Sequence, residues 1–157
     1  MSTNRAVIEK EFLVLEADKK NKNHRAYPKQ IIQRWIDDAR LSNGGYDVEF
    51  ATDDNDFEYE FLKDDRVCGN VFELRLDGNK LIAKARFKID GPYADAIYGT
   101  KDKESIIDKI SITPKGKGAV KNQLIQDDFE LYGFNLIFSS DSPFIEDVAV
   151  VAEASSR

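Results

Sequence analysis

The pattern of apolar and polar residues predicts a strand and then a helix in the first third of the chain. Residues 6–17, AVIEKEFLVLEA, form an apolar run that is compatible with a β-strand, and the polar residues 18–25 end it. Pro28 follows, at the position where a helix best tolerates proline. Apolar residues then recur at the spacing of one helical face, and residues 42–45, Ser-Asn-Gly-Gly, end the helix. The apolar face comprises Ile31, Ile32, Trp35, Ile36 and Ala39.

The middle of the chain carries a hairpin pattern. Residues 67–76 and 80–89 are two apolar-rich runs, and Asp77, Gly78 and Asn79 join them. An Asp-Gly pair between two such runs is a strong short-range signal for a hairpin. The sequence therefore predicts two neighbouring antiparallel strands here.

The last third of the chain has weaker patterns, which predict short elements. Residues 110–113 indicate a short strand, and residues 114–118, Pro-Lys-Gly-Lys-Gly, indicate a solvated loop after it. Residues 129–138 indicate a further strand, in which Gly133 marks a bulge. The weakest elements are a short helix near residues 103–108 and a last strand over residues 147–152.

Several antiparallel strands with one well-marked helix predict an α+β fold. We expect a mostly antiparallel β-barrel or a strongly curved sheet, flanked by the helix after Pro28 and with room for one further flanking helix. No internal repeat or low-complexity stretch divides the chain. The length suits one domain, so residues 1–157 are predicted to form a single domain.

Composition excludes several classes of site. The chain has one cysteine, Cys68, and one histidine, His24, so it cannot build an intramolecular disulfide, a multi-cysteine zinc site or a two-histidine metal site. Its net charge of -6 does not favour a general phosphate-backbone binder, and we expect no specific nucleic-acid partner. No apolar run approaches the length of a membrane span, and the N-terminal residues are too polar for a signal peptide. No cofactor is predicted.

Residues 53–65 concentrate the negative charge, because they contain seven acidic residues and one lysine. Phe57, Tyr59 and Phe61 alternate there with polar positions, as in a strand with one buried face and one wet face. The spacing of the acidic residues also resembles a calcium-binding EF-hand loop. Its sixth position is Tyr59, however, where the sharp turn needs glycine, so we predict a charged sheet edge and no metal site.

Two side chains are candidates for catalysis by residue type. Ser111 lies in a short predicted strand before a glycine-containing loop, whose backbone amides could form an oxyanion hole. His24 lies in a polar loop before the helix, where an isolated histidine is usually a surface or capping residue. Most serines in strands are structural as well. Residues 116–118, Gly-Lys-Gly, lack the spacing of a phosphate-binding loop and are better explained as a turn.

Four segments of the chain carry a further pattern. The first is NKNHRAYPK at residues 21–29, which has the form N-x-N-x-R-x-Y-P. The others are LIAKARF in the hairpin, KISITPKGKG at residues 109–118 and FELYGFNLIFSSDSP at residues 129–143. In this order the four segments resemble the motifs of the prohead proteases of T-even-type tailed phages. The residues that match the first motif are Asn21, Asn23, Arg25, Tyr27 and Pro28.

This resemblance implies a herpesvirus-protease-like β-barrel with flanking helices, which acts inside the prohead to cut scaffold and capsid proteins before DNA packaging. Ser111 matches the first of the two serines in the family's serine segment, so it is the candidate nucleophile. The family's catalytic histidine falls between the first helix and the hairpin, and the matching residues 46–57 contain no histidine. Asp53 and Asp54 lie nearest, but a carboxylate with a pKa of about 4 accepts a proton from serine only weakly. The chain thus resembles a serine endopeptidase that lacks its base, since His24 does not match that position.

The C-terminal residues contain a pattern that resembles the sites such proteases cut. Glu153 and Ala154 follow apolar residues, as in an apolar-x-Glu site before a small residue. The same pattern occurs at residues 14–17, inside a predicted strand, so it is permissive. A polar, frayed C-terminus is the simpler explanation.

Three functions follow as hypotheses. The first is a phage head-assembly or capsid-associated structural protein without catalysis, which binds capsid, portal or scaffold proteins and is compatible with a homo-oligomer. The second is an active maturation protease with Ser111 as nucleophile and His24, Asp53 or Asp54 as base. The third is an unrelated acidic binding module whose residues 53–65 dock a basic partner. The first two imply the host cytoplasm during assembly, or the virion head, as the location.

Overall fold

The computed structural model describes residues 6–21, 24–50, 66–91 and 93–139, together with the backbone of residues 155–156. No helix in these ranges is both long enough and apolar enough to cross a membrane. The elements, in chain order, are β1 (Glu9–Glu16), α1 (Lys29–Asp37), β2 (Tyr46–Phe50), β3 (Val67–Asp77), β4 (Lys80–Phe87), α2 (Ala94–Tyr98), β5 (Ile110–Gly118), β6 (Val120–Lys121), β7 (Leu124–Ile125), β8 (Glu130–Phe138) and β9 (Ser155–Ser156).

Seven of the described strands form one sheet in the order β1-β4-β3-β2-β8-β5-β9. Neighbouring strands are antiparallel, except that β2 pairs with β8, and β5 with β9, in parallel. β1 and β5 also contact each other, so the sheet curls into a half-barrel. Strands β6 and β7 form a separate small hairpin. The fold is thus α+β, with a strongly curved, mostly antiparallel sheet and one main helix, which confirms the predicted class.

The inner face of the sheet carries the apolar core. Every second residue of β4 is buried on this face, as the pleat of a strand requires. The ring of Phe87, at the end of β4, meets the ring of Phe12 from β1 edge to face, with the centroids 6.2 Å apart. Across the sheet, Val48, Phe134 and Leu136 continue the same face through β2 and β8. The inner residues of β4 are Leu81, Ala83, Ala85 and Phe87.

Helix α1 lies against the sheet through a buried aromatic group. It buries Ile31, Ile32 and Trp35, which are part of the apolar face that the sequence predicts. The rings of Tyr27 and Trp35 each contact the ring of Phe129, with centroids 6.0 and 5.8 Å apart. The helix is therefore fixed between the loop that precedes it and the residue that precedes β8.

The ends of α1 follow local rules. Pro28 stands in extended conformation as the N-cap, directly before the first helical turn in which it is predicted, and there a missing N–H group costs nothing. The helix ends at Asp37, before the Ser-Asn-Gly-Gly signal at residues 42–45. Asp38 leaves the helical conformation, and its carboxylate accepts a hydrogen bond from the N–H group of Arg40. That bond begins a separate 3-10 turn over Ala39–Ser42.

Strand β5 continues through residues 114–118, so the predicted solvated loop there is wrong. At Pro114, β5 pairs only with β8 among the described strands. The opposite edge of β5 has no described partner strand there, so a residue that lacks an N–H group is tolerated. Gly116 and Gly118 allow close approach to the start of β8. A Cβ atom on Gly116 would overlap the carbonyl oxygen of Glu130. The glycines that suggested a turn therefore serve strand pairing.

The hairpin of β3 and β4 is confirmed, with Asp77 opposite Lys80 and Gly78 in the left-handed conformation of the turn (φ +63°). The bulge in β8 is confirmed as well. Lys115 of β5 pairs with Gly133, and Gly116 pairs with Leu131, two positions earlier in β8, so one residue of β8 is left over.

The helix predicted near residues 103–108 is wrong. Helix α2 precedes this segment, and a 3-10 turn, Ile107–Lys109, follows and leads into β5. The hydroxyl of Ser105 donates a hydrogen bond to the carbonyl of Ile97 in α2 and accepts one from the N–H group of Ile107. The segment is therefore a bend attached to α2. The strands predicted within residues 53–65 and over residues 147–152 lie outside the described residues.

Candidate functional site

Ser111 lies near the start of β5, opposite Ile137 of β8, and its side chain is half-buried. It is on the sheet face opposite the apolar core, because its neighbours Ile110 and Ile112 are buried on the inner face. In the described part of the chain its hydroxyl group makes no hydrogen bond to a histidine or a carboxylate. The candidate nucleophile is therefore accessible in part but has no described base.

The loop of the N-terminal signature is held by its own hydrogen bonds. The N–H group of Asn21 donates to the carbonyl of Arg25 at 2.9 Å, and the N–H group of Arg25 donates to Oδ1 of Asn21 at 3.1 Å. His24 has a left-handed backbone (φ 61°), its N–H group donates to the carbonyl of Asn21, and its side chain is exposed. Tyr27 is fully buried in the aromatic group described above, and Asn23 lies outside the described residues. These residues fix the entry of the chain into α1.

The structure does not join His24 to Ser111, since His24 lies in the loop before α1 and Ser111 lies in β5. The other sequence candidates are the bases Asp53 and Asp54 and the processing pair Glu153 and Ala154. All four lie outside the described residues. The second match to the processing pattern, residues 14–17, is in and directly after β1, where Leu15 and Ala17 are buried.

A row of buried polar side chains crosses the sheet on the face that carries Ser111. Glu49 of β2 pairs in register with Asn135 of β8, which pairs in register with Thr113 of β5. All three side chains are fully buried. Lys115, two residues further along β5 on the same face, is 2% exposed, and its Nζ atom lies 3.3 Å from Oε2 of Glu49. We call Glu49, Thr113, Lys115 and Asn135 the polar cluster.

The polar cluster contains polar groups that the described residues leave unsatisfied. Neither the nitrogen nor the oxygen of the Asn135 carboxamide has a hydrogen-bond partner there, and the Thr113 hydroxyl has none. Burial of such a group without a partner costs about 1–3 kcal/mol. Native folds rarely keep this cost without a functional reason or a bound water. The polar cluster is therefore the strongest candidate site in the described part of the chain.

The one cysteine lies beside the polar cluster and is not a nucleophile. Burial raises the pKa of the Cys68 thiol to about 12; a backbone hydrogen bond and Lys88 oppose the shift, and the charge of Glu49 adds to it. The Sγ atom lies 3.5 Å from the carbonyl oxygen of Val48. Because the thiolate is the reactive form, Cys68 is inert at neutral pH.

A surface groove of about 450 Å³ opens where β2 meets β3. The side-chain nitrogen of Asn70 donates a hydrogen bond to the carbonyl of Gly44 at 2.7 Å and fixes one wall. Asp47 precedes Glu49 by two residues, so it lies on the same face of β2 as the polar cluster. The groove carries one charge of each sign. Its lining residues are Gly44, Asp47, Val67, Gly69, Asn70 and Lys88.

The chemistry available at the polar cluster is proton exchange between an amine and a carboxylate, next to a carboxamide and a hydroxyl. A carboxylate beside a lysine ammonium is a poor general base for a serine. The single histidine of the chain is elsewhere. Within the described ranges, no group of three or more His, Cys, Asp and Glu side chains is placed to hold a metal ion.

Sequence reasoning missed the polar cluster entirely. Glu49 alternates with apolar residues in β2, a pattern that normally indicates an exposed face, and Asn135 is one polar residue among the apolar residues 134–138. The sequence pattern places Lys115 in a solvated loop. The signal that could have found the cluster is the burial of β8 on both faces, which its nearly continuous apolar run, FELYGFNLIF, indicates. An asparagine within such a run must be buried.

The comparisons with known proteins bear on the fold. The solved structure of the capsid assembly protease of bacteriophage T4 matches the chain with a TM-score of 0.64 and 17% sequence identity, over 88% of this chain and 87% of that one. No family model matches the sequence, and no curated protein matches it. At this level of identity the match carries the fold and not the activity. The chain therefore has a prohead-protease-like fold.

Proposed function

We propose that this protein is a head-assembly or capsid-associated protein of a tailed phage, in which a prohead-protease-like domain binds other head proteins without cutting them. The fold that it shares with a phage capsid assembly protease supports the setting. The state of the polar cluster supports the absence of catalysis.

One observation carries the second part of the proposal. Among the described residues on the sheet face that carries Ser111, the buried acidic group is Glu49, and Lys115 lies 3.3 Å from it. A serine nucleophile needs a base within hydrogen-bond reach, about 3 Å from its hydroxyl. His24 is exposed in the loop before α1 and makes no hydrogen bond to Ser111 among the described residues. In hydrolases of this type, loss of the base lowers the rate by several orders of magnitude.

The partners follow from the same proposal. They are capsid, portal or scaffold proteins, and self-association into a homo-oligomer is compatible with the role. The protein acts in the host cytoplasm during assembly, and the virion head is the alternative location. We expect no specific nucleic-acid partner, because the chain has a net charge of -6.

Co-expression tests the proposal. Wild type and Ser111→Ala are expressed with the cognate capsid and scaffold proteins, complexes are purified, and the intact mass of every chain is measured. We expect co-purification with a head protein and the same uncut masses for both forms. Fragments that occur with wild type and not with Ser111→Ala would contradict the non-catalytic role. A folded protein that captures no head protein would contradict the assembly role.

The second candidate function is an active maturation protease with Ser111 as nucleophile. The observation that favours it is the half-buried Ser111 side chain, which shares a face with the polar cluster. This alternative predicts covalent labelling of wild type, and not of Ser111→Ala, by a fluorophosphonate probe during assembly. It also predicts release of residues 154–157 if the bond between Glu153 and Ala154 is cut.

A further inference from the structure

The Lys115 and Glu49 side chains meet across an intervening strand. Lys115 is in β5, Glu49 is in β2, and β8 lies between them in the sheet. Neighbouring strands are about 4.8 Å apart, so the two backbones are separated by about 10 Å and the ion pair bridges that gap. The residue of β8 opposite Lys115 is Gly133, which has no side chain to block the path. The lysine side chain therefore passes over β8.

Asn135 lies on the strand that the lysine side chain crosses, on the same face as Lys115 and Glu49. Asn135 is two residues from Gly133 on the same face of β8, and it is the direct partner of Glu49 in the parallel pairing. Both Glu49 and Asn135 are completely buried. A primary amine and a carboxylate 3.3 Å apart thus share one sheet face, away from water, with a carboxamide whose nitrogen and oxygen have no described hydrogen-bond partner.

We propose that Lys115 and Asn135 become joined by an intramolecular isopeptide bond, with Glu49 as the proton acceptor. The inference concerns the single chain and does not depend on the proposed role in head assembly. An amine is a nucleophile only when it loses its proton, and Glu49 is the nearest described base. The fold holds the nucleophile and the electrophile in place. The step is therefore effectively unimolecular and avoids the entropy cost of bringing two molecules together. Exclusion of water protects the intermediate from hydrolysis.

The step balances without a further reactant. Lys115 gives one proton to the Glu49 carboxylate, and the free Nζ lone pair attacks Cγ of Asn135, so the C=O electron pair moves to Oδ1. Nζ then passes a second proton to Nδ2 by way of Glu49. When the C=O bond re-forms, the bond between Cγ and Nδ2 breaks and ammonia leaves. The products are a secondary amide, a neutral Glu49 carboxylic acid and ammonia.

The environment favours this product. A buried ion pair keeps two charges away from water, whereas the linked form contains an amide and an uncharged acid. Thr113, directly opposite Asn135, has a buried hydroxyl without a described partner, and a turn of this hydroxyl toward Oδ1 would let it donate a hydrogen bond as negative charge develops there. The bond ties β5 to β8 across the centre of the sheet.

Intact mass spectrometry of the purified full chain tests the proposal. Wild type, shown to be folded by circular dichroism, is expected to be lighter than its sequence mass by one ammonia. A digest should yield a branched peptide that joins Lys115 to Asn135. Lys115→Arg and Glu49→Gln should keep their full sequence masses, because one removes the amine and the other removes the proton acceptor. Asn135→Asp should instead lose one water, since its carboxyl group can form the same bond.

The matched control is Lys117→Arg, two residues further along the same strand, which should still lose ammonia. A folded wild type that keeps its full mass and yields only linear peptides would overturn the proposal. So would a loss of ammonia that persists in Lys115→Arg, because it would come from another site such as succinimide formation at Asn43-Gly44. If Glu49→Gln fails to fold, the comparison of Lys115→Arg with Asn135→Asp decides the result.

Discussion

At the scale of single residues, the Cys68 thiol couples pH to stability. Its pKa in the folded chain is about 12, against 9.0 for an unperturbed thiol, chiefly because it is buried. A group whose folded pKa is raised contributes stability below the unfolded pKa, and that contribution is lost as the pH rises toward the folded value. The thiol therefore stabilises the fold at neutral pH and does so less at alkaline pH.

We predict that wild type loses about 1 kcal/mol more stability than Cys68→Ala between pH 8 and pH 10. The measurement is urea unfolding of both proteins at the two pH values. Lysines and tyrosines titrate in both proteins, so the difference between the two isolates the thiol. Equal losses would mean that Cys68 is accessible to water.

At the scale of elements, β5 depends on close approach to β8. A Cβ atom at Gly116 would overlap the carbonyl oxygen of Glu130 and contact the ring of Phe129. We predict that Gly116→Ala lowers the free energy of unfolding by roughly 1–3 kcal/mol, because the backbone must move to admit the methyl group. Thermal unfolding measures it. Lys121→Ala, at an exposed position of β6, is the control and should leave the midpoint unchanged.

The elements that the sequence predicted correctly are those with local signals. The turn of Asp77, Gly78 and Asn79 sets the register of β3 and β4, and the face of Ile31, Ile32 and Trp35 defines α1, so a short window contains the information. A short window of sequence does not predict β5. Pro114 and two glycines look like a loop until β8, more than ten residues later, pairs with them. The polar cluster could not be predicted for the same reason, because Glu49 and Asn135 come together only through the pairing of β2 with β8.

At the scale of the whole molecule, the described charges fall into two classes. On the outer face of β1, β4 and β3 the ion pairs are exposed: Arg86 with Glu9, and Arg75 with Glu11. The hydrogen bond from Arg75 lowers the pKa of Glu11, but water and salt screen such pairs. The pair of Lys115 and Glu49 is buried, so removal of one partner leaves the other charge without water.

In an Asn135→Ala background, which cannot form the link and keeps the ion pair, we predict that Lys115→Met costs about 3–5 kcal/mol of unfolding free energy, because it leaves a buried carboxylate without its ammonium. Arg75→Met, the matched change at an exposed pair, should leave the urea midpoint within experimental error. Equal effects of the two substitutions would contradict the assignment of the polar cluster as a buried site.

The parallel pairing of β2 with β8 also determines how the chain can fold as it is made. Residues 46–50 leave the ribosome long before residues 130–138, so the β1-β4-β3-β2 half of the sheet is complete in sequence while the edge of β2 still lacks its partner β8. An open strand edge is a template for pairing with another chain. Nascent chains that pause after β4 are therefore exposed to intermolecular pairing, and the release of β8 is the event that ends this risk.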